Sequence, residues 1–389
     1  MSDGGPLMPH VPCPMPAARV VFVNRYFHPD HSATSQMASD LAFHLASRGW
    51  STGVIASRQR YDDASAKLAP RENVNGVDVR RVWSTRFGRA FLPGRAIDYA
   101  TFYCSAFFAI RRERDAIIVP LTDPPLISVV AALASHRIVN WLQDLFPEVA
   151  NALGIRTPRF LRRMRDWSLR RARMNVAIGA EMAKRVEAPH VTVRDNWADA
   201  ALHPIARDRD APFTVAYSGN LGRAHEFGTM VDAMHALPEV RFVITGGGAQ
   251  LERVRAAAPP NAVFQPYAPR ERLSESLSAA DAHLVTLQPS LEGLIVPSKF
   301  YGIIAVARPV IFIGARNGEI ARSVIESDCG FVIEPRDTEA LVNAIRRLAS
   351  YRDEAEAMGR RGRALYESRF APEIAFAEWE RILAEASNE

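Results

Sequence analysis

The sequence predicts an α/β protein of two Rossmann-like domains whose parallel sheets face a cleft between them. Three observations predict it. A chain of 389 residues is too long for one ordinary hydrophobic core. Short apolar runs, typical of buried strands, alternate with helix-periodic segments along nearly the whole length. A stretch rich in Pro, Ala and Asp at 197–212 divides this alternation and reads as a linker between domains at 18–196 and 213–370.

The first half begins with a continuous apolar strand over 19–27, followed by a helix over 35–49 that ends at a glycine. Residues 1–17 are rich in Pro and Gly without an apolar core, which indicates a flexible tail and not a signal peptide. Further strands are expected at 51–57, 77–83, 115–121, 136–144, 174–180 and 191–196.

The second half repeats the alternation, and its C-terminal residues 371–389 are expected to form a helix that packs back toward the first domain. Ligands of parallel sheets bind beyond the carboxyl ends of the strands, so the loops after Asn24, Gly219, Gly246 and Gln288 should line the cleft. Strands are expected at 213–220, 241–248, 261–267, 282–289, 309–314 and 329–333. Helices are expected at 225–238, 249–258, 270–281, 317–326 and 338–350.

The composition and charge of the chain indicate which classes of ligand, cofactor and cellular location are expected. The net charge is +5 and the pI about 9.3, mostly from arginine, which favours anionic substrates or surfaces. Cys13, Cys104 and Cys329 lie far apart, without metal or redox spacing, as expected of a reducing cytoplasm. No run reaches the ~18 apolar residues of a spanning helix. Asp62 and Asp63 are adjacent and form no D-x-D site, so we expect neither a metal nor another cofactor.

The segment EGLIVPSKFYGIIAVARP at 292–309 is the most informative stretch of the chain. Glu292, a Gly-Leu step, Ser298 and Lys299 precede a helix-compatible apolar run, the arrangement of a loop that feeds a helix N-terminus. Backbone N–H groups and the helix dipole favour an anion there, and Lys299 adds a charge. The end of the segment with Lys299 and the helix N-terminus suits a diphosphate, and the end with Glu292, which can accept hydrogen bonds from hydroxyl groups, suits a sugar. The alternative is an ordinary βα loop with a surface lysine.

Two glycine-bearing junctions accompany this segment. In GNLGRAHE at 219–226, Gly219 and Gly222 allow a phosphate to approach the backbone, and Arg223 can bind its oxygens as a fork. The alternative is a βα turn with an exposed arginine. TGGG at 245–248 departs from G-x-G-x-x-G, so it is weak as a dinucleotide motif and fits a turn or a base-binding floor.

In this order, the three motifs resemble those of the retaining glycosyltransferases of GT-B fold, in the large family numbered four. The resemblance spans roughly 18–380 and is closest to bacterial members that build exopolysaccharides, capsules and O-antigens. The NLGR…H segment, the PSK-x-Y-G stretch and QDLFPE at 143–148 carry it. It implies the GT-B fold and sugar transfer from a nucleotide-diphosphate donor, with UDP-sugars favoured over GDP-sugars.

The resemblance also implies roles for individual residues. Arg223 and Lys299 would neutralise the donor diphosphate, and Glu292 would hydrogen-bond the donor sugar. Asp144, or less favourably His28, would act on the acceptor side, the alternative for Asp144 being a helix N-cap. Further donor contacts are implied for Gly219, Asn220, Gly222, Gly246, Gly247, Pro266, Tyr267, Gly293, Leu294, Ile295 and Ser298. Further acceptor-side positions are Asn24, Ser32 and Thr34.

The chain departs from the family pattern at two places. A second glutamate, to which the family gives a ribose contact, would fall at Phe300 or Gly302, and neither is acidic. The usual arginine and lysine of the first motif are Asn220 and His225, so that Arg223 would supply the charge. Family precedent implies retention of configuration, with a donor phosphate oxygen accepting the proton and no dedicated base.

A basic segment at 156–175 carries eight arginines, from Arg156 to Arg173, and one acid. Helical spacing would place three apolar side chains on one stripe with arginines around it: Phe160, Met164 and Trp167. This predicts an interfacial helix on anionic lipid, the alternative being a surface helix with a core-facing stripe. The apolar, basic-flanked stretch 87–111 adds a second such element. No nucleic-acid motif accompanies the charge, so nucleic acid is not expected as a partner.

The sequence therefore predicts a cytoplasmic glycosyltransferase, peripheral at the inner face of the membrane, that acts on a glycan or polyprenyl-diphosphate-linked acceptor. Two alternatives stay open. One is a degenerate transferase that serves as an assembly subunit. The other is a nucleotide-sugar 2-epimerase, which would need carboxylates and a histidine gathered in the cleft.

Overall fold

A computed structural model describes residues 19–61, 63, 65–88 and 92–388. The predicted N-terminal tail at 1–17 with Cys13, as well as Asp62, therefore lies outside the described residues. Within the described part, no helix combines the length and apolar character that crossing a membrane requires.

The first domain is a mostly parallel sheet flanked by helices. Its strands β3-β4-β2-β1-β5 form one ladder and β6-β7-β8 a second, joined by a parallel bridge from Ile118 to Ile138. Among the strands that the structure describes in this domain, only β3 pairs antiparallel, with β4. The strands are β1 (Val20–Val23), β2 (Thr52–Ser57), β3 (Arg71–Val74), β4 (Val77–Val82), β5 (Ile117–Pro120), β6 (Val139–Leu142), β7 (Met174–Ala177) and β8 (Val191–Val193). The helices are α1 (Ala33–Ser47), α2 (Leu92–Ile110), α3 (Ile127–Ala134), α4 (Glu148–Ala152), α5 (Arg159–Arg170) and α6 (Ala180–Ala183).

The second domain has one sheet in the order β11-β10-β9-β12-β13-β14, parallel throughout. Its strands are β9 (Thr214–Ser218), β10 (Arg241–Thr245), β11 (Ala262–Gln265), β12 (Ala282–Thr286), β13 (Val310–Ile313) and β14 (Gly330–Ile333). The helices are α7 (Gly228–Ala236), α8 (Leu251–Ala257), α9 (Leu273–Ser278), α10 (Lys299–Ala305), α11 (Glu319–Glu326), α12 (Thr338–Ser350), α13 (Arg352–Leu365) and α14 (Pro372–Asn388).

The predicted α/β class with parallel sheets is confirmed, but several elements lay outside the prediction, among them the short helices α4 and α6 as well as α2. Strand β3 is a half-exposed edge whose sequence, RENV, has no buried run. Helix α3, ISVVAALA, is apolar almost throughout and so lacks helical amphipathicity. Helix α13 was also missed. Most predicted strands were too long at the carboxyl end, because their last residues already belong to the loops of the cleft.

Helix α14 contacts the first domain through an aromatic cluster. Trp379 on α14 lies 4.7 Å, between ring centroids, from Trp141 on β6, which in turn lies 5.6 Å from Trp197. All three indoles are buried. Beside this cluster, His44 Nε2 on α1 lies 2.8 Å from Glu380 Oε1 on α14. The last helix therefore ties the end of the chain to the first domain.

The two domains also meet at the floor of the cleft. Leu145 N donates to Leu294 O at 2.9 Å, and Asp144 forms an antiparallel bridge with Ile295. This contact places the first domain's loop after β6 directly against the segment that follows Glu292. The sequence resemblance named both loops, and the fold brings them together.

Candidate functional site

Lys299 is the first residue of α10 and lies mostly enclosed at the carboxyl ends of β9 and β12. Its Nζ is 3.1 Å from His225 Nε2 and 5.2 Å from the centroid of the Tyr217 ring. No carboxylate forms an ion pair with it in the part of the chain described. Burial lowers the pKa of Lys299 to about 8. A buried ammonium without a counter-ion is unfavourable, and binding of an anion would stabilise its charged form.

His225 holds Lys299 in place. Its Nδ1 is 2.5 Å from Thr286 O, so Nδ1 carries the proton and donates, which leaves Nε2 to accept from Lys299. Burial and the charge of Lys299 lower the pKa of His225 to about 3. The histidine is therefore neutral and acts as an acceptor. Sequence reasoning noted His225 only as a departure from the family's lysine and missed this role.

The two glycine junctions bring strand ends unusually close to each other. Gly219 has φ 131°, and a Cβ there would lie 2.5 Å from Lys299 Cε. Gly246 has φ 135°, and a Cβ there would lie 2.2 Å from Gly219 O. Neither position has room for a side chain. The Lys299 stem thus passes directly along the backbone of the GNLGR loop.

Tyr267 covers the TGGG turn. Its ring lies 3.2 Å from the point where a Gly246 Cβ would stand and 3.4 Å from the corresponding point on Gly247. The ring is 58% exposed, and Pro266 beside it is also exposed. The exposed ring together with the bare backbone of Gly246 and Gly247 offers a flat surface on which a nucleobase can stack.

Arg223 is exposed on a tight turn, and within the described residues its guanidinium has neither a hydrogen bond nor an ion pair. Gln288 fixes the turn from behind: its Nε2 donates to Arg223 O at 2.8 Å and its N to Ala224 O at 2.9 Å. Asn220 instead packs its amide between Gly222 and Gly248. The turn is thus anchored through its backbone while the arginine side chain stays available.

Glu292 is half-buried and already has one partner. Its Oε1 accepts from Glu319 N at 2.9 Å, at the start of α11, and Gly318 lacks the Cβ that would collide with Oε2. Burial raises the pKa of Glu292. The amides of Leu294 and Ile295 donate to Leu291 O, which corrects the expectation that the Leu294 amide is free to hold a ligand. Gly293 has φ 71° and packs against the backbone of Glu181 in the first domain.

Asp144 faces this segment from the first domain. Its side chain is exposed on one side, while the surrounding protein and the charge of Asp123 raise the pKa of Asp144 to about 6. The alternative role as an N-cap is wrong, because α4 begins at Glu148 with Pro147 as its cap residue. A carboxylate that titrates near neutrality beside the Ile295 backbone can accept a hydrogen bond from a hydroxyl group.

The other acceptor-side residues divide into two groups. His28 is exposed and packs edge-on against Phe43, with Ser32 and Thr34 partly exposed at the start of α1. Asn24 is fully buried and donates to Tyr26 O at 2.8 Å, which corrects the expectation that it contacts a ligand. Its amide shapes the loop after β1.

The two positions at which a second glutamate was expected point away from the cleft. Phe300 is fully buried and stacks edge-on with Phe370. A side chain at Gly302 would meet Leu277 and Leu202. A carboxylate at either position would be buried among apolar groups, which explains physically why neither is acidic. Ser298 precedes α10 and is partly exposed.

Helix α5 presents an apolar stripe to solvent. Its core-facing residues are Arg165, Ser168 and Leu169, whereas Phe160 is 57% and Met164 40% exposed. The alternative of a core-facing stripe is therefore wrong for these two side chains, whereas Trp167 is partly buried and packs against the core of the first domain. The exposed arginines around them are Arg156, Arg159, Arg162, Arg163, Arg170 and Arg171, of which Arg162 pairs with Glu187 at 3.0 Å.

No cluster of three or more His, Cys, Asp or Glu side chains suited to a metal ion occurs in the described ranges. Two cations, Lys299 at the start of α10 and Arg223 on the loop after β9, lie at the ends of the adjacent strands β12 and β9.

A family of known proteins matches the second domain. Residues 212–351 match the family described as "Glycosyl transferases group 1". This domain is a glycosyltransferase group 1 domain. Among relatives, "Probable glycosyltransferase WbjE" of Pseudomonas aeruginosa is 27% identical over 288 residues, 66% of this chain and 72% of WbjE. The protein named "Putative colanic acid biosynthesis glycosyl transferase WcaI", of Escherichia coli (strain K12), is 26% identical over 295 residues, 65% of this chain and 71% of WcaI.

Solved structures share the whole fold. Sucrose-phosphate synthase from Thermosynechococcus elongatus superposes with a TM-score of 0.76 at 16% identity, over 95% of this chain and 98% of that one. HepE of Anabaena, in complex with UDP and glucose, gives 0.70 at 14% identity, over 94% and 99%. WaaG, a glycosyltransferase involved in lipopolysaccharide biosynthesis, gives 0.64 at 13% identity, over 95% and 100%. The predicted GT-B fold and glycosyltransferase class are confirmed.

Proposed function

We propose that this glycosyltransferase moves a sugar from a UDP-sugar to a glycan or polyprenyl-diphosphate-linked acceptor in cell-surface polysaccharide biosynthesis, with retention of configuration. The observation that carries the proposal is the enclosed ammonium of Lys299, which has no carboxylate partner within the described residues and lies beside the bare backbone of Gly219. The UDP and glucose in HepE support the donor class. The names of WcaI and WaaG support the pathway.

The donor would lie along the carboxyl edge of the second sheet. The base stacks on Tyr267 above β10 and β11. The diphosphate lies at the end of β9, between the Gly219 backbone, Lys299 and Arg223. The sugar then reaches Glu292, after β12, whose carboxylate accepts hydrogen bonds from its hydroxyl groups. Base, diphosphate and sugar thereby follow the order of the strands.

In the reaction, the bond between the anomeric carbon and the diphosphate oxygen breaks, and both bonding electrons leave with UDP. Lys299 and Arg223 stabilise the charge that develops on this oxygen, in a site where no counter-charge must first be displaced. The acceptor hydroxyl, oriented by Asp144, attacks from the face that UDP leaves. Its proton passes to the departing phosphate oxygen. Configuration is thereby retained without a separate base.

A lipid-linked acceptor requires the enzyme to reach the membrane. We assign this contact to α5, where exposed Phe160 and Met164 lie among arginines, and place the enzyme at the cytoplasmic face. Flotation with vesicles containing phosphatidylglycerol tests it. The wild type should float and the double variant Phe160→Ser/Met164→Ser should not, while Ile325→Ser, on exposed α11, serves as the control. A wild type that stays with the soluble fraction would remove this assignment.

The donor site is tested by thermal shift with UDP, GDP and ADP. UDP should raise the melting temperature, since a ligand that binds only the folded state stabilises it. Lys299→Ala and Arg223→Ala should each weaken UDP binding about tenfold to a hundredfold, as expected for hydrogen bonds to charged groups. Arg360→Ala, on exposed α13, is the control. No shift with any nucleotide would contradict the proposal and favour the assembly-subunit alternative.

A further inference from the structure

The first turn of α11 contacts the first domain directly beside the proposed sugar contact. Glu319, the first residue of α11, is 8% exposed although it carries a carboxylate. Its Oε2 accepts from Glu181 N, near the start of α6 in the first domain, at 3.2 Å. Gly179, which precedes α6, leaves room for this contact, because a Cβ there would lie 2.9 Å from Glu319 Oε2. A carboxylate of the second domain is thus hydrogen-bonded to the backbone of the first.

The same turn of α11 holds the carboxylate of Glu292. Glu319 N donates to Glu292 Oε1 at 2.9 Å, and the other oxygen of Glu292 lies against Gly318. Gly293, next in the chain, packs on the first domain, since a Cβ there would lie 3.0 Å from Glu181 O. One residue of the first domain, Glu181, is therefore connected to this segment twice, through its N–H by way of Glu319 and through its carbonyl at Gly293.

Two arginines compensate the charge of the buried Glu319 carboxylate, and each has a further acidic partner. Arg322 Nη2 lies 3.2 Å from Glu319 Oε2, and Arg322 Nη1 donates to the Glu181 carboxylate. Arg369 Nη2 lies 3.9 Å from Glu319 Oε1, and Arg369 Nε donates to Asp195 Oδ2 at 2.9 Å. Removal of the Glu319 carboxylate therefore leaves both arginines paired, so we expect the fold to tolerate this change.

We propose that Glu319 is a positioning residue for the donor sugar: its contact with α6 fixes Glu292 relative to the first domain, and thereby relative to the acceptor hydroxyl. The inference rests on the proposed function, because it takes Glu292 to bind the sugar and Asp144 to orient the acceptor. Asp144 pairs with Ile295, so the same segment is held by the first domain at a second point. Without the Glu319 contact, Glu292 would lose this fixed position, whereas the proposed base and diphosphate contacts, all within the second domain, would stay intact.

The test is calorimetry of the full chain with UDP, UDP-glucose, UDP-galactose and UDP-N-acetylglucosamine. The quantity measured is the factor by which the affinity for the best-bound UDP-sugar exceeds that for UDP. Glu319→Ala should lower the affinity for this UDP-sugar about tenfold, as expected when a hydrogen bond to a charged group is lost, and leave the Kd for UDP unchanged. Glu319→Gln should keep most of the affinity, because its amide oxygen still accepts from Glu181 N. Glu326→Ala, at the exposed end of α11, is the matched control.

Gly179→Ala tests the same contact from the first domain. The backbone of Gly179 is extended, with φ −177°, and so accepts alanine, but the added Cβ would displace the Glu319 carboxylate. This variant should therefore lower the affinity for the UDP-sugar as Glu319→Ala does, and its unchanged affinity for UDP would show that it is folded. The double variant Gly179→Ala/Glu319→Ala should bind the UDP-sugar no more weakly than either single variant, because both changes remove one contact.

Three results would overturn the positioning role alone: wild-type affinity of Glu319→Ala for the UDP-sugar, equal losses for UDP and the UDP-sugar, or additive losses in the double variant. Equal losses would indicate a role in folding only. Glu292→Ala separates this proposal from the proposed function. If it abolishes the preference for the UDP-sugar while Glu319→Ala and Gly179→Ala retain it, the donor assignment stands and the positioning role fails. A wild type that binds no nucleotide, or binds no UDP-sugar better than UDP, contradicts both proposals.

Discussion

Replacing Lys299 with methionine should make the free protein more stable at pH 7 while weakening its hold on a diphosphate. Burial lowers the pKa of Lys299 from 10.5 to about 8, a difference that corresponds to about 3 kcal/mol against the charged form. Methionine keeps most of the aliphatic stem but loses the contact of the ammonium with the Tyr217 ring and its hydrogen bond to His225, worth about 1 kcal/mol each. We therefore expect a net gain of about 1 kcal/mol.

The pH dependence identifies the cause. The folded pKa lies below the unfolded one, so between about pH 8 and 10.5 the unfolded chain binds the additional proton, and wild-type stability from this group rises with pH. The advantage of Lys299→Met should be complete below pH 8 and gone by about pH 10.5. Melting temperatures of both proteins across pH 7 to 10.5 measure it, with Lys67→Met, at an exposed lysine, as the control. A variant less stable than the wild type at pH 7, or an advantage independent of pH, would refute the reasoning.

Three further changes test the site and its support. Tyr267→Ala should raise the Kd for UDP about tenfold, because stacking of a base on an aromatic ring contributes about 1–3 kcal/mol, while Tyr267→Phe should leave it unchanged in calorimetry. Trp379→Ala should lower the free energy of unfolding by about 3–5 kcal/mol through the cavity left against Trp141, measured by urea denaturation. Asp98→Ala leaves Arg25 buried without the carboxylate that lies 3.2 Å away, and should destabilise the protein by about 3–5 kcal/mol in the same assay.

Much of the fold could be predicted because parallel strands buried on both faces are apolar runs, and the alternation of such runs with helical segments leaves few topologies. The prediction failed where this signal is absent. An edge strand such as β3 has no buried run, and a helix enclosed on most sides, such as α3, has no polar face. The signal for both elements lies in tertiary contacts.

The candidate site was predictable at the level of loops and less so at the level of atoms. The motifs named the loops that carry Arg223, Glu292 and Lys299, since each follows a strand. The sequence did not indicate that Asn24 points into its own loop or that the Leu294 amide is already bonded. Nor did it indicate that Asp144 pairs with Ile295, because that contact joins residues of two domains. A motif therefore predicts where the backbone forms a loop. Whether a polar group in that loop already has a hydrogen-bond partner depends on contacts with the rest of the fold.

The departures from the family pattern have a common physical explanation. With histidine at 225 instead of lysine, the GNLGR loop loses a cation, but His225 is neutral and accepts from Lys299, which reaches the same place from α10. A second cation beside Lys299 would lower its pKa further, whereas a neutral acceptor holds the ammonium without repelling it. In the proposed diphosphate site, the positive charge thus comes from one buried lysine and one exposed arginine. This arrangement predicts that His225→Lys would impair diphosphate binding, even though it restores the family's residue.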